Sequence, residues 1–192
     1  MEDTNIPFSK PSIGKEELAE VADTLKSGWI TTGLKARTFE SNFSDFIGFG
    51  VNAIAVNSAT SGLHLACEAV GISKGDEVII PSLTFTATAE VVRYLGADVK
   101  VVDVDPITLT IDIQCIRDAI TPKTKAIIPV HYAGMSCDMD SILSLAKEFD
   151  LRVIEDAAHA LPTVYKGKII GSLKSDITVF SFYANKTMTT GE

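Results

Sequence analysis

Six short apolar runs, rich in valine and isoleucine, recur along the chain at 53–56, 78–80, 99–104, 126–130, 152–154 and 177–182. Between the first five stand segments whose apolar residues repeat at helical spacing, at 61–70, 84–95, 113–120 and 140–149. A strand with no polar alternation has no face to offer to water, so both of its faces must be covered. Strands joined through helices run parallel, because a helical crossover returns the chain to the same edge of the sheet. The pattern therefore predicts an α/β fold: a mostly parallel central sheet with helices on both faces. Turn signals such as Lys74-Gly75-Asp76 and Gly96-Ala97-Asp98 separate the elements.

Ahead of this alternation, 15–26 and 37–47 carry helical periods. The first uses Leu18, Val21, Ala22 and Leu25, the second Phe39, Phe43, Phe46 and Ile47. A glycine- and threonine-rich loop, Gly28-Trp29-Ile30-Thr31-Thr32-Gly33, lies between them, with Trp29 expected as its buried anchor. Residues 1–33 read as an N-terminal arm, helix and loop, and 34–192 as the main domain.

Composition excludes several functions. The 192 residues are 46% hydrophobic and 22% charged, which suits a globular core. A net charge of -8 and the absence of a Lys/Arg cluster argue against nucleic acid as a partner. No apolar run approaches membrane-spanning length, and residues 1–10 have no apolar core of a signal peptide. Cys67, Cys115 and Cys137 are odd in number and lack C-x-x-C spacing. They fit free thiols in a reducing, cytoplasmic setting.

Four segments at strand ends carry candidate chemistry. Open α/β sheets bind ligands at the carboxyl edge of their strands. In Asn57-Ser58-Ala59-Thr60-Ser61-Gly62, a strand passes into a helix through small and hydroxyl residues. A helix start offers free N–H groups to a phosphate, although Ser58 or Thr60 would equally serve as a simple cap. His64, inside the helix, reads as a packing residue. In Pro81-Ser82-Leu83-Thr84-Phe85, Phe85 offers a flat face to a heteroaromatic ring or packs as ordinary core. In Glu155-Asp156-Ala157-Ala158-His159, two carboxylates end a strand and His159 follows. A carboxylate against a pyridine nitrogen keeps that nitrogen protonated. Asp156 with His159 lacks the further ligands of a metal site, and no metal is expected. Lys186 follows the last apolar run among small and hydroxyl residues. His131, Cys137, Asp138 and Asp140 have the look of scattered ligands, but Asp138 and Asp140 are better placed to open a helix, with Gly134 turning the chain before it. No G-x-G-x-x-G follows the first strand, which disfavours a dinucleotide-binding domain.

Taken in order, Asn57–Gly62, Pro81–Phe85, Glu155–His159, Ser181-Phe182-Tyr183-Ala184-Asn185-Lys186 and Thr190-Gly191-Glu192 resemble the DegT/DnrJ/EryC1/StrS family. Ile6-Pro7-Phe8 and the 28–33 loop are similar to that family's opening. The resemblance implies the large domain of a type I pyridoxal-phosphate-dependent aminotransferase. It implies that Lys186 binds the cofactor covalently and shuttles protons, and that Asp156 pairs with the ring nitrogen. Ala59, Thr60 and Ser181 would hold the phosphate, Phe85 would stack on the ring, and His159 would sit near the ring oxygen. Implied partners are a nucleotide-linked keto-sugar, an amino donor such as glutamate, and a second copy of the chain in a homodimer. Relatives of this kind run to about twice 192 residues, so an N-terminal piece of a longer enzyme, inactive alone, is the expectation. Two alternatives stay open: a non-catalytic regulatory or interaction protein of the same fold, and a sugar dehydratase, against which Lys186 argues.

Overall fold

A computed structural model describes residues 6–7, 9–48 and 50–191. Phe8 and Glu192 of the motifs above lie outside the described residues. The chain divides into two compact units: Val56–Ser181, and the residues on either side of it.

Within the flanking unit, α1 (Lys15–Ser27) and α2 (Leu34–Ile47) form where the helical periods predict them. The Glu17 carboxylate accepts the Gly14 N–H at 2.6 Å, and this bond holds its pKa below the usual range. Lys35 pairs with Glu20 and Asp23, linking the two helices. Phe39 and Phe43 stack at 5.9 Å and both meet the edge of Phe182. Trp29 is not a buried anchor: it is 62% exposed. Its indole N–H donates to the Thr32 carbonyl at 3.1 Å, and its ring covers Gly33 so closely that a Cβ there would lie 2.3 Å from Nε1. The loop is thus held by its own residues rather than by a core.

The expected strand at 53–56 does not form; among the described residues it pairs with no other strand. Side chains of α2 take the N–H groups a ladder would need. Ser44 Oγ accepts from Ala53 at 2.9 Å and Glu40 Oε1 from Ala55 at 2.8 Å. Ile54 is left 82% exposed.

The Val56–Ser181 unit is the predicted α/β sheet. Its elements are α3 (Ala59–Ala69), β1 (Glu77–Pro81), α4 (Ala87–Tyr94), β2 (Asp98–Val102), α5 (Ile113–Ala119), β3 (Thr124–Ile127), α6 (Met139–Phe149), β4 (Arg152–Ala157), β5 (Val164–Tyr165), β6 (Lys168–Ile169) and β7 (Ile177–Phe180). Five strands pair in parallel in the order β2-β1-β3-β4-β7. The β5–β6 hairpin, which the sequence reading does not anticipate, turns on Lys166 and Gly167, both at positive φ.

Period-two alternation assigns each strand residue to a face. Val78, Ile80, Ala126, Ile128, Ile154 and Val179 pack with Leu63, Ala66, Cys67, Val91 and Val92 of α3 and α4. Ile79, Ile127 and Val153 pack with Ile116, Met139, Ile142 and Leu145 of α5 and α6. Each such aliphatic side chain, fully buried, contributes about 1.5–3 kcal/mol. From β1 the chain steps outward to β2, then returns past β1 to β3 and onward. The gap between the carboxyl ends of β1 and β3 is therefore the switch point where open sheets bind ligands. No described helix is long and apolar enough to cross a membrane.

Candidate active site

Asp156 is the penultimate residue of β4, and alternation turns it to the α3/α4 face, opposite to Glu155. Its backbone is pinned on one side by β3's extension: its N–H donates to Pro129 O at 2.9 Å and its carbonyl accepts from the His131 N–H at 3.1 Å. On the other side it stands in register with Val179 of β7. The residue is 4% exposed. Thr88 of α4 donates its hydroxyl to Oδ2 at 2.8 Å, and the Ala158 N–H donates to Oδ1 at 3.2 Å. An ionised carboxylate has about four acceptor positions. Two donors reach this one among the described residues, so it retains capacity for a ligand.

Val179 connects this carboxylate to the start of α3. Gly62 approaches so closely that a Cβ there would sit 2.8 Å from Val179 Cγ1. The first turn of α3 thus lies beside the carboxyl half of β7, on the face that carries Asp156. Ser58 is the N-cap, as the capping alternative expects: its Oγ accepts the Ser61 N–H at 3.1 Å. Ala59 and Thr60 follow it, and a helix start leaves their N–H groups outside the internal ladder. Ser181 comes one residue after β7 ends. Within this unit the structure therefore brings Ala59, Thr60, Asp156 and Ser181 to one end of one sheet face. Phe85 precedes α4 by two residues and is 74% exposed, so it is not core. His159 is exposed in the turn after β4, its ring edge-on to Tyr132 at 6.3 Å. His64 meets Tyr94 ring to ring at 5.5 Å, a packing role.

Lys186 belongs to the flanking unit. It lies in a loop whose ends are tied together: Phe182 O accepts the Thr190 N–H at 3.1 Å and the Thr189 hydroxyl at 2.8 Å. The Lys186 N–H turns inward to Tyr183 O at 2.9 Å.

Behind Asp156, on the opposite face, lies a pair the sequence reading does not find. His131 and Glu155 are both wholly buried, with Nε2 and Oε2 2.8 Å apart. His131 Nδ1 accepts the Cys137 N–H at 3.1 Å, so the ring proton sits on Nε2 and is donated to Glu155. Ser175 and Thr178 donate their hydroxyls to Glu155 Oε1. His131 and Cys137 thus serve structure rather than a metal. Asp138 caps α6, and Asp140 sits in its first turn. Among the described residues, no group of three or more His, Cys, Asp or Glu is arranged to hold a metal ion. Thr84 and Thr88 also escape the sequence reading. Their signal was the i, i+4 spacing that puts two hydroxyls on one side of a turn.

Residues 11–192 match the model of the DegT/DnrJ/EryC1/StrS aminotransferase family. Over 187 residues the chain is 51% identical to the spore coat polysaccharide biosynthesis protein SpsC of Bacillus subtilis, covering 97% of this chain and 48% of that protein. The protein Spr1654 of Streptococcus pneumoniae, assigned as a sugar aminotransferase and solved in PLP and PMP forms, superposes with a TM-score of 0.91. It is 40% identical, with 98% of this chain and 51% of that one covered. DesI, solved in the presence of its TDP-sugar product, superposes with a TM-score of 0.84 at 37% identity, with 93% and 45% covered. The chain spans about half the length of these relatives.

Pyridoxal 5′-phosphate, the cofactor of this family, asks for an anion seat, an acid opposite its ring nitrogen, and a primary amine. Within the Val56–Ser181 unit, the hydroxyl-bordered start of α3 and the buried Asp156 with acceptor capacity to spare fit the first two in chemistry; Lys186, in the other unit, is a primary amine. The matched family model and the agreement in fold settle the relationship: this chain belongs to the DegT/DnrJ/EryC1/StrS aminotransferase family.

Proposed function

We propose that the protein is a pyridoxal-phosphate-dependent aminotransferase that moves an amino group, with glutamate as donor, onto a nucleotide-linked keto-sugar. The observation that carries this reading is the buried Asp156 carboxylate, set on the same sheet face and edge as the start of α3. SpsC's part in spore coat polysaccharide synthesis and DesI's TDP-sugar product support the substrate class. The product would serve polysaccharide biosynthesis. The reaction would run in the cytoplasm, where Cys67 and Cys137 persist as buried thiols, and in a homodimer.

When bound, pyridoxal phosphate supplies an aldehyde that takes up amino groups and a ring that stores the electron pair released at the neighbouring carbon. Asp156, as an anion, would keep the ring nitrogen protonated and so the ring electron-poor. The Ala59 and Thr60 N–H groups and the Thr60 and Ser181 hydroxyls would hold the phosphate, aided by the positive end of the α3 dipole. Phe85 would cover the ring, and His159 would hydrogen-bond near its oxygen. Lys186 would hold the cofactor through its amine, and the same amine would serve as the base that moves the proton.

The test mixes the protein, at the full length of its relatives, with the cofactor, glutamate and a panel of nucleotide-linked keto-sugars. Amino-sugar nucleotide and 2-oxoglutarate should appear in equal amounts, and Lys186→Ala should abolish both. If no member of the panel is aminated by protein that has bound the cofactor, the substrate assignment is overturned.

A further inference from the structure

We propose that Thr88, backed by Thr84, is a positioning residue that holds Asp156 as an anion facing its ligand. This rests on the reading above, in which Asp156 meets the ring nitrogen. Thr88 Oγ1 lies 2.8 Å from Asp156 Oδ2 and 2.7 Å from Thr84 Oγ1. A hydroxyl has one proton to give. A hydrogen bond to an ionised carboxylate is roughly twice as strong as one between neutral groups, so the Thr88 proton goes to Asp156. Thr84 must then donate to Thr88, and the two hydroxyls point the same way, toward the carboxylate. Thr88 is wholly buried, so no water competes for its proton, while Thr84 is half-buried at the outer end of the relay.

The other oxygen, Oδ1, accepts from the Ala158 N–H, and the Asp156 backbone is held from both β3 and β7. Each side-chain oxygen therefore already faces a fixed donor. Both bonds are given to a charged acceptor and weaken if the carboxylate loses that charge, so the two donors favour the carboxylate form. The proton shared between Asp156 and a bound nitrogen base is thereby pushed onto the base. Thr88 touches neither cofactor nor substrate in this account; it acts through the carboxylate.

The probe is the holoprotein carrying pyridoxal phosphate labelled with 15N in its ring, whose chemical shift separates protonated from unprotonated nitrogen. Thr88→Val, close in shape but without the hydroxyl, should weaken the preference for protonated nitrogen roughly ten-fold, as expected for losing one buried bond to a charged group. Thr88→Ser should restore the wild-type shift, which a purely packing role would not require. Thr84→Val should move the equilibrium in the same direction by roughly three-fold, since it weakens a neutral bond. That variant decides the matter should Thr88→Val fail to fold. An unmoved ring-nitrogen signal in Thr88→Val, with a moved signal in Asp156→Asn, overturns the relay and leaves the Asp156 reading standing. An unmoved signal in Asp156→Asn overturns both.

Discussion

Replacing Glu155 separates two ways of losing a buried charge. In the native protein its carboxylate accepts three donors: the His131 Nε2–H at 2.8 Å, the Thr178 hydroxyl at 2.8 Å and the Ser175 hydroxyl. Leucine in its place orphans all three, and His131 cannot re-pair by shifting its proton because Nδ1 already faces the Cys137 N–H. A buried donor left unsatisfied costs about 1–3 kcal/mol, and the two hydroxyls fall near the low end because they can rotate, so the three together cost about 3–5 kcal/mol. At roughly 2–4 °C per kcal/mol for a chain of this size, Glu155→Leu should lower the melting temperature by about 6–20 °C. Glutamine is different. Its oxygen can keep the bond from His131, and its amide can turn toward Ser175 and Thr178, whose hydroxyls can rotate to accept. Glu155→Gln should therefore cost only about 1–2 kcal/mol, the difference between charge-assisted and neutral bonds. Urea denaturation followed by circular dichroism measures both. A leucine variant as stable as wild type, or a glutamine variant less stable than leucine, would refute the assigned tautomer and donor count.

Gly62→Ala places a Cβ 2.8 Å from Val179 Cγ1 and 3.5 Å from Val56 Cγ2. Overpacking of about 1–3 kcal/mol should outweigh the roughly 1 kcal/mol gained in helix propensity, so denaturation should show a net loss of about 1 kcal/mol. Asp138 caps α6, its carboxylate held below the usual pKa first by the Ser141 hydroxyl, with the Tyr165 hydroxyl adding. Asp138→Ala should cost about 1 kcal/mol at neutral pH. A depressed carboxylate contributes stability above its unfolded pKa of about 4, so the gap between wild type and variant should close as pH falls below that value. Burial raises the Cys67 thiol to about 11 and the Cys137 thiol to about 12. A disulfide-exchange reagent at pH 8 should therefore leave both unlabelled in folded protein. Their contribution to stability is whole below the unfolded thiol value of about 8.5 and should fall away as pH rises beyond it.

The sheet was legible because burial on both faces favours unbroken apolar runs in the central strands, as Val78-Ile79-Ile80 and Ala126-Ile127-Ile128 show. Asp156 stood out for the converse reason, as a charge at the end of such a run, and the structure shows it buried there. The run at 53–56 looked the same, but only the fold reveals that Ser44 and Glu40 take its N–H groups. Trp29 was misread because an aromatic ring can be held by a carbonyl and a glycine as well as by a core. The Thr88–Asp156 and His131–Glu155 bonds join residues 68 and 24 positions apart. Such pairings depend on strand register and helix placement, which one sequence does not display.

Borohydride reduction of the protein incubated with pyridoxal phosphate, followed by peptide mapping, tests the central claim most directly. A single adduct at Lys186, absent from Lys186→Ala, is the expected result. An adduct at a different lysine, or label spread evenly over surface lysines, would contradict the assignment.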